Sequence, residues 1–185
     1  MGHRLVVTGG YGLNNRDLSS VEVYVPGGGW QMAGWRLSQP DYGHCAVAVD
    51  DFHLLIVSGA GNEPRMSVDI VNIETGAKKA VAQPPRARGG RHFCAADEKN
   101  VYVVDKSKQH QYQIHKYSLE SGEWDTPGTV PSLRMEAAVG GLVVLSGVLT
   151  LFDQGQNVYV LQGNQWLMGH QTRGRLSKGT VVKLS

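Results

Sequence analysis

Six arginines crowd into three short segments: Pro85-Arg86-Ala87-Arg88-Gly89-Gly90-Arg91-His92, Pro131-Ser132-Leu133-Arg134-Met135-Glu136 and Thr172-Arg173-Gly174-Arg175-Leu176-Ser177-Lys178. A fourth segment of similar make-up, Ser38-Gln39-Pro40-Asp41-Tyr42-Gly43-His44, carries an aromatic ring instead. Guanidinium groups recognise carboxylates through paired hydrogen bonds, and Arg and Tyr are common where proteins grip one another. The binding candidates are therefore Tyr42, Arg86, Arg88, Arg91, Arg134, Met135, Arg173 and Arg175, and the ligand they suit is an acidic peptide. The competing reading is that these arginines satisfy carbonyls and cover strand ends with their apolar stems.

Groups that could do covalent or metal chemistry are scattered. The histidines at positions 3, 44, 53, 92, 110, 115 and 170 include no His-x-x-x-His pair, and the two cysteines, Cys45 and Cys94, form no Cys-x-x-Cys. The segment Gly9-Gly10-Tyr11-Gly12 has the glycines of a phosphate loop without the Gly-Lys-Ser/Thr that completes one. No catalytic residue, metal site or cofactor is expected. The histidines read as solvated or hydrogen-bonded imidazoles, with His115 on a strand surface, and the cysteines as small apolar core residues.

Composition narrows the class. Eighteen Lys and Arg against sixteen Asp and Glu leave a net charge of +2, too small to point to nucleic acid or an anionic membrane as the partner. No apolar run approaches the roughly 20 residues of a membrane span, and the first ten residues do not read as a signal peptide. A soluble cytoplasmic protein is the expectation. Twenty-four dispersed glycines among short Val, Leu and Tyr runs describe an all-β chain with many turns.

The elements that must position these groups recur four times. An apolar run ends in or near glycine, a variable loop follows, then an alternating strand with tyrosine, then tryptophan. The first copy is Leu5-Val6-Val7-Thr8-Gly9-Gly10, Val21 to Val25 with Tyr24, and Trp30. The second is Leu54 to Gly59, Val68 to Ile73, a turn at Glu74-Thr75-Gly76, and Lys79 near the place of tryptophan. The third is Val101 to Val104, Ile114 to Leu119 with Tyr117, and Trp124; the fourth is Leu142 to Gly147, Val158 to Leu161 with Tyr159, and Trp166. Small-residue strands precede three of the apolar runs, at Cys45 to Val49, Cys94 to Ala96 and Ala137 to Val139, with Asp50-Asp51 and Gly140-Gly141 placed as hairpin turns. Small inner strands followed by continuous apolar strands describe the blades of a β-propeller, each apolar strand covered on both faces.

The Gly9-Gly10 pair, the Tyr24 and Trp30 pair and the segment Tyr117-Ser118-Leu119-Glu120-Ser121-Gly122-Glu123-Trp124 resemble the kelch family. The resemblance runs over the whole chain, although only the first copy keeps the double glycine. It implies a four-bladed kelch-type β-propeller. Blade 1 is expected over 1–37 plus 176–185, blade 2 over 38–85, blade 3 over 86–131 and blade 4 over 132–175, in a single domain of residues 1–185. Residues 179–185 align without a gap against His44 to Asp50, so the C-terminal inner strand is expected to complete blade 1. A closed monomer follows, with a strand-exchanged, eight-bladed dimer as the alternative.

The resemblance further implies a protein-protein interaction module or scaffold, like the kelch substrate adaptors, and not an enzyme. The rival expectation is a carbohydrate- or metabolite-handling propeller, lectin or mutarotase-like, with Tyr11, Trp35 or Tyr42 stacking on a sugar.

Overall fold

The computed structural model describes residues 5–59, 66–85, 90–108, 111–125, 133–134 and 138–169. Among the described residues, fifteen strands form four antiparallel sheets, each assembled from strands adjacent in sequence. The first sheet holds β1 (Leu5–Thr8), β2 (Val21–Val25) and β3 (Gly29–Met32) in that order. The second runs β4 (Cys45–Ala48), β5 (His53–Ser58), β6 (Ser67–Asn72), β7 (Lys78–Val81). The third contains β8 (Phe93–Ala96), β9 (Asn100–Lys108), β10 (Gln111–Ser118) and β11 (Leu133–Arg134). The fourth holds β12 (Val139–Leu145), β13 (Val148–Asp153), β14 (Val158–Gln162) and β15 (Gln165–Met168). The all-β expectation and its four sheets stand.

The chain divides into two compact units, residues 1–81 with 89–92 and residues 82–88 with 93–185. In the first, Val21, Trp35, Leu37, Ile56 and Val71 form a buried cluster, with Val6, Ala33, Leu54 and Ile73 packed around it. One face of the first sheet is thus buried against one face of the second. Trp35, raised as a sugar-stacking candidate, is only 7% exposed and donates its indole N–H to the Ile73 carbonyl at 3.1 Å. It fits because Gly76, at φ +72°, has no Cβ to collide with the indole. In the second unit, the core joins Ala95, Val104, Tyr112, Ile114 and Leu133 of the third sheet to Val139, Leu142, Val144, Leu149 and Leu151 of the fourth.

Turn chemistry sets the registers. Asp50 Oδ1 accepts the N–H groups of Phe52 and His53, and Asp97 Oδ1 those of Lys99 and Asn100, closing the first hairpins of the second and third sheets. The fourth sheet departs from the expectation. Gly140-Gly141 lies inside β12, where the register shifts between Val139 and Gly141. The hairpin turn is Ser146-Gly147, both at positive φ (49° and 77°), the conformation that matches strand twist in a two-residue loop. The apolar run Leu142 to Leu145 is consequently in the first strand of its sheet, and the unassigned Val148–Asp153 is the second. In the second sheet, register places Lys78 opposite Val71, where the first sheet has Trp30 opposite Tyr24.

Three further expectations change. Neither cysteine is free; Cys45 and Cys94 are each disulfide-bonded. His115 is buried beside Asp105, with 3.8 Å between Nε2 and Oδ2, and is not on a strand surface. The run Leu5-Val6-Val7 is not covered on both faces, since Leu5 and Val7 are exposed. The C-terminal strand expected to complete blade 1 lies outside the described residues.

Candidate binding site

The residues between β1 and β2 form an ordered finger. Gly9 N–H donates to the Ser20 carbonyl, Leu18 N–H to Gly10 and Gly12 N–H to Arg16, all at 2.8–2.9 Å, and Tyr11 bridges Asp17 as a short antiparallel pair. The tip, Leu13–Asn15, is a single turn of 3₁₀-helix in which Asn14 and Asn15 adopt positive φ, a conformation asparagine tolerates. Leu13 projects from it and is 92% exposed.

Buried Asp41 anchors the finger's base. Its Oδ1 accepts the N–H groups of Gly43 (2.7 Å) and His44 (3.1 Å), its Oδ2 that of Gly59 (2.7 Å), and its backbone carbonyl that of Gly10 (2.8 Å). Asp41 therefore fixes the lead-in to β4 and the end of β5 through its carboxylate, and the root of the finger through its backbone carbonyl. Gly9 completes the junction at φ +56°, where a Cβ would lie 2.5 Å from the Asp41 carbonyl oxygen and 2.8 Å from His44. His44 Nε2 shares a 2.7 Å hydrogen bond with Thr8 Oγ1, and burial pushes the imidazole below its usual 6.5 against the opposing pull of Asp41.

Upon this base Tyr11 and Tyr42 pair, ring centroids 4.6 Å apart and planes tilted by 51°, both exposed. Loss of hydration holds the Tyr11 hydroxyl above its usual 10.0, followed by the influence of Tyr42 and Asp17, so it remains a neutral donor at physiological pH. The surface offers two aromatic faces, one apolar tip and the exposed Arg16.

The sequence-derived candidates fare unevenly. Tyr42 is on this surface. Arg91 is exposed in the lead-in to β8. Arg134 is in β11, where its backbone pairs with Gln111, and so belongs to a sheet edge instead of a free loop. Arg86, Arg88, Met135, Arg173 and Arg175 lie outside the described residues. The variable loop of the first repeat, Tyr11 to Ser20, is a second candidate for a working surface on its length and polarity alone; Asp41 is the residue that sequence reasoning missed, and the Asp-x-Gly spacing of an Asx turn was the available signal.

A cavity of about 310 Å³ in the second unit is lined by residues 96–100, Val144 and Gly147. Of its two carboxylates, Asp97 and Glu98, Asp97 accepts the backbone N–H groups of Lys99 and Asn100 and the Tyr102 hydroxyl at 3.2 Å; burial first, then Asp97, pushes the Tyr102 phenol up to about 12. Among the described residues, no group of three or more His, Cys, Asp or Glu could hold a metal ion, and no helix is long and apolar enough to cross a membrane.

No family model and no curated protein matches the chain. Among solved structures it is similar to that of YjhT, with a TM-score of 0.70 at 10% identity over 97% of this chain and 71% of that one. The likeness is one of fold. Together with the four meander sheets, it gives the chain a propeller-like all-β architecture.

Proposed function

We propose that this protein is a binding module whose four sheets are kelch-type propeller blades, and that it holds a partner protein on the surface made by Leu13, Tyr11 and Tyr42. The observation that carries the reading is the finger itself: a hydrogen-bonded hairpin keeps Leu13 and Tyr11 in solvent, on a base locked by a buried carboxylate. Preorganised aromatic and apolar groups of this kind lower the ordering cost of association. Arg16 and Arg91 supply exposed positive charge for an acidic segment of the partner.

The test is affinity capture followed by quantitative binding with the protein so identified. Leu13→Asp combined with Tyr42→Ala is expected to weaken that binding at least tenfold, about 1.4 kcal/mol, while leaving the thermal melt unchanged. Undiminished binding by the double variant contradicts the finger as the contact surface. The Tyr11 and Tyr42 rings also favour a second reading, a sugar stacked against them; saturable binding of a simple sugar, lost in Tyr42→Ala, would replace the protein partner with a carbohydrate. The disulfide-bonded state of Cys45 and Cys94 supports an oxidising compartment over the cytoplasm expected from sequence.

A further inference from the structure

The root of the finger closes over a histidine. His44 Nε2 shares its hydrogen bond with Thr8 Oγ1 at the end of β1, while Nδ1 is shut off from water and has no hydrogen-bond partner among the described residues. Gly9, the first residue of the finger, lies against the same edge of the ring: a Cβ on it would be 2.8 Å from Cε1, the carbon between the two nitrogens. His44, Thr8 and Gly9 all belong to the first unit. From Gly9 onward the finger hangs on main-chain hydrogen bonds, Gly9 N–H to Ser20, Gly10 N–H to Asp41 and Leu18 N–H to Gly10.

This setting suits one protonation state. Whichever nitrogen carries it, a neutral imidazole has one N–H, and a bare Nδ1 forfeits one hydrogen bond; an imidazolium has two N–H donors and must bury a charge as well. The acceptors at hand are taken. The Asp41 carboxylate accepts three backbone N–H groups, and its carbonyl accepts that of Gly10. Asp41 favours the proton, but burial outweighs it and holds the ring below its usual 6.5. β1 and the finger root bring Thr8 and Gly9 to the ring, neither of them charged, and the finger's own charges are Arg16 and Asp17. His92, in the same unit, donates its backbone N–H to the Gly43 carbonyl at 2.9 Å and is the second imidazole near this junction.

We propose that His44 is an acid-sensitive latch of the finger: the neutral ring lets Gly9 close over it, and protonation lifts the finger's root so that water reaches the imidazolium. A ring in contact with water is the better base, so acid draws the equilibrium toward the open form. The closed form is fully favoured above 6.5 and loses ground as pH falls through the lowered value of the buried ring. Opening takes the support from under Leu13 and parts Tyr11 from Tyr42, which belongs to the lead-in to β4 and not to the finger. The consequence for a partner rests on the proposed reading of that surface as a binding site; the latch itself does not.

Amide hydrogen exchange of the full chain, followed by NMR from neutral to mildly acidic pH and corrected for the intrinsic effect of pH on exchange, tests the latch. Protection at Gly10, Gly12 and Leu18 is expected to fall by roughly threefold or more, while amides in β5 and β6 keep theirs. The midpoint should match the titration of the His44 ring resonance. His44→Gln, which cannot take up a proton in this range, is expected to flatten the dependence; if it fails to fold, the match of midpoints in the unaltered protein decides. Finger protection that ignores the His44 titration, or a loss that persists in His44→Gln and so traces to another group such as His92, overturns the proposal. With the captured partner, affinity should fall at the same midpoint. A finger that opens in acid without weakening the partner would refute the finger as its contact surface and leave the latch standing.

Discussion

The two faces of the first sheet share one backbone and opposite fates. On one, Val6 and Val21 join Trp35 in the core of their unit; on the other, Leu5, Val7, Trp30 and Met32 meet solvent. Trp30 and Trp35 are five residues apart and equally apolar, yet one is 50% exposed and the other 7%. Residue type did not decide between them. What decides is the face each ring is on: Trp35 is packed in the cluster that the first sheet shares with the second, whereas Trp30 is on the first sheet's other, solvent-facing side.

The contrast can be broken most severely at Asp41. Asp41→Ala leaves the N–H groups of Gly43, His44 and Gly59 without their buried acceptor and is expected to cost more than ~3 kcal/mol, read from denaturant unfolding. Leu151→Ala, at a fully buried position between the third and fourth sheets, is expected to cost about 2–5 kcal/mol, whereas Leu5→Ala on the open face stays within about 0.5 kcal/mol. Equal costs for the two leucines would remove the distinction between covered and open faces. Gly76→Ala, forced into positive φ against the buried Trp35, is expected to cost about 1–3 kcal/mol and to redden tryptophan emission.

A smaller effect is expected from pH. Burial lowers the His44 pKa below 6.5, so the unfolded chain binds the proton more readily than the folded one. The stabilising contribution is full above 6.5 and is lost as pH falls through the folded value. Melts of the parent and of His44→Gln, recorded from neutral to mildly acidic pH, should show the shallower dependence in the variant. Smallest of all is the thiol count: protein denatured without reductant should release no titratable thiol.

Much of the fold was legible because the repeat overdetermines it. Strands β1, β2 and β3 and the whole of the second sheet fall where the Val/Leu runs, the Tyr24 and Trp30 pair and the Glu74-Thr75-Gly76 turn placed them. The fourth sheet slipped because Val139 to Gly147 offers two glycine-bearing turns, and only the backbone angles of Ser146 and Gly147 choose between them. The candidate binding surface was half legible. Tyr42 stood in a recognisable connection, but the finger depends on main-chain hydrogen bonds from Gly9, Gly12 and Leu18 that leave no periodic pattern. The burial of Asp41 was equally hidden, because a carboxylate before Tyr-Gly-His reads as an ordinary surface turn.

The contrast between Trp30 and Trp35 can be measured directly. In protein labelled with 5-fluorotryptophan, with the Trp30 fluorine resonance assigned through Trp30→Phe, a soluble gadolinium chelate should broaden Trp30 strongly in dilute solution and leave Trp35 sharp. A Trp30 resonance as sheltered as that of Trp35 at every dilution would contradict the open face on which the account rests.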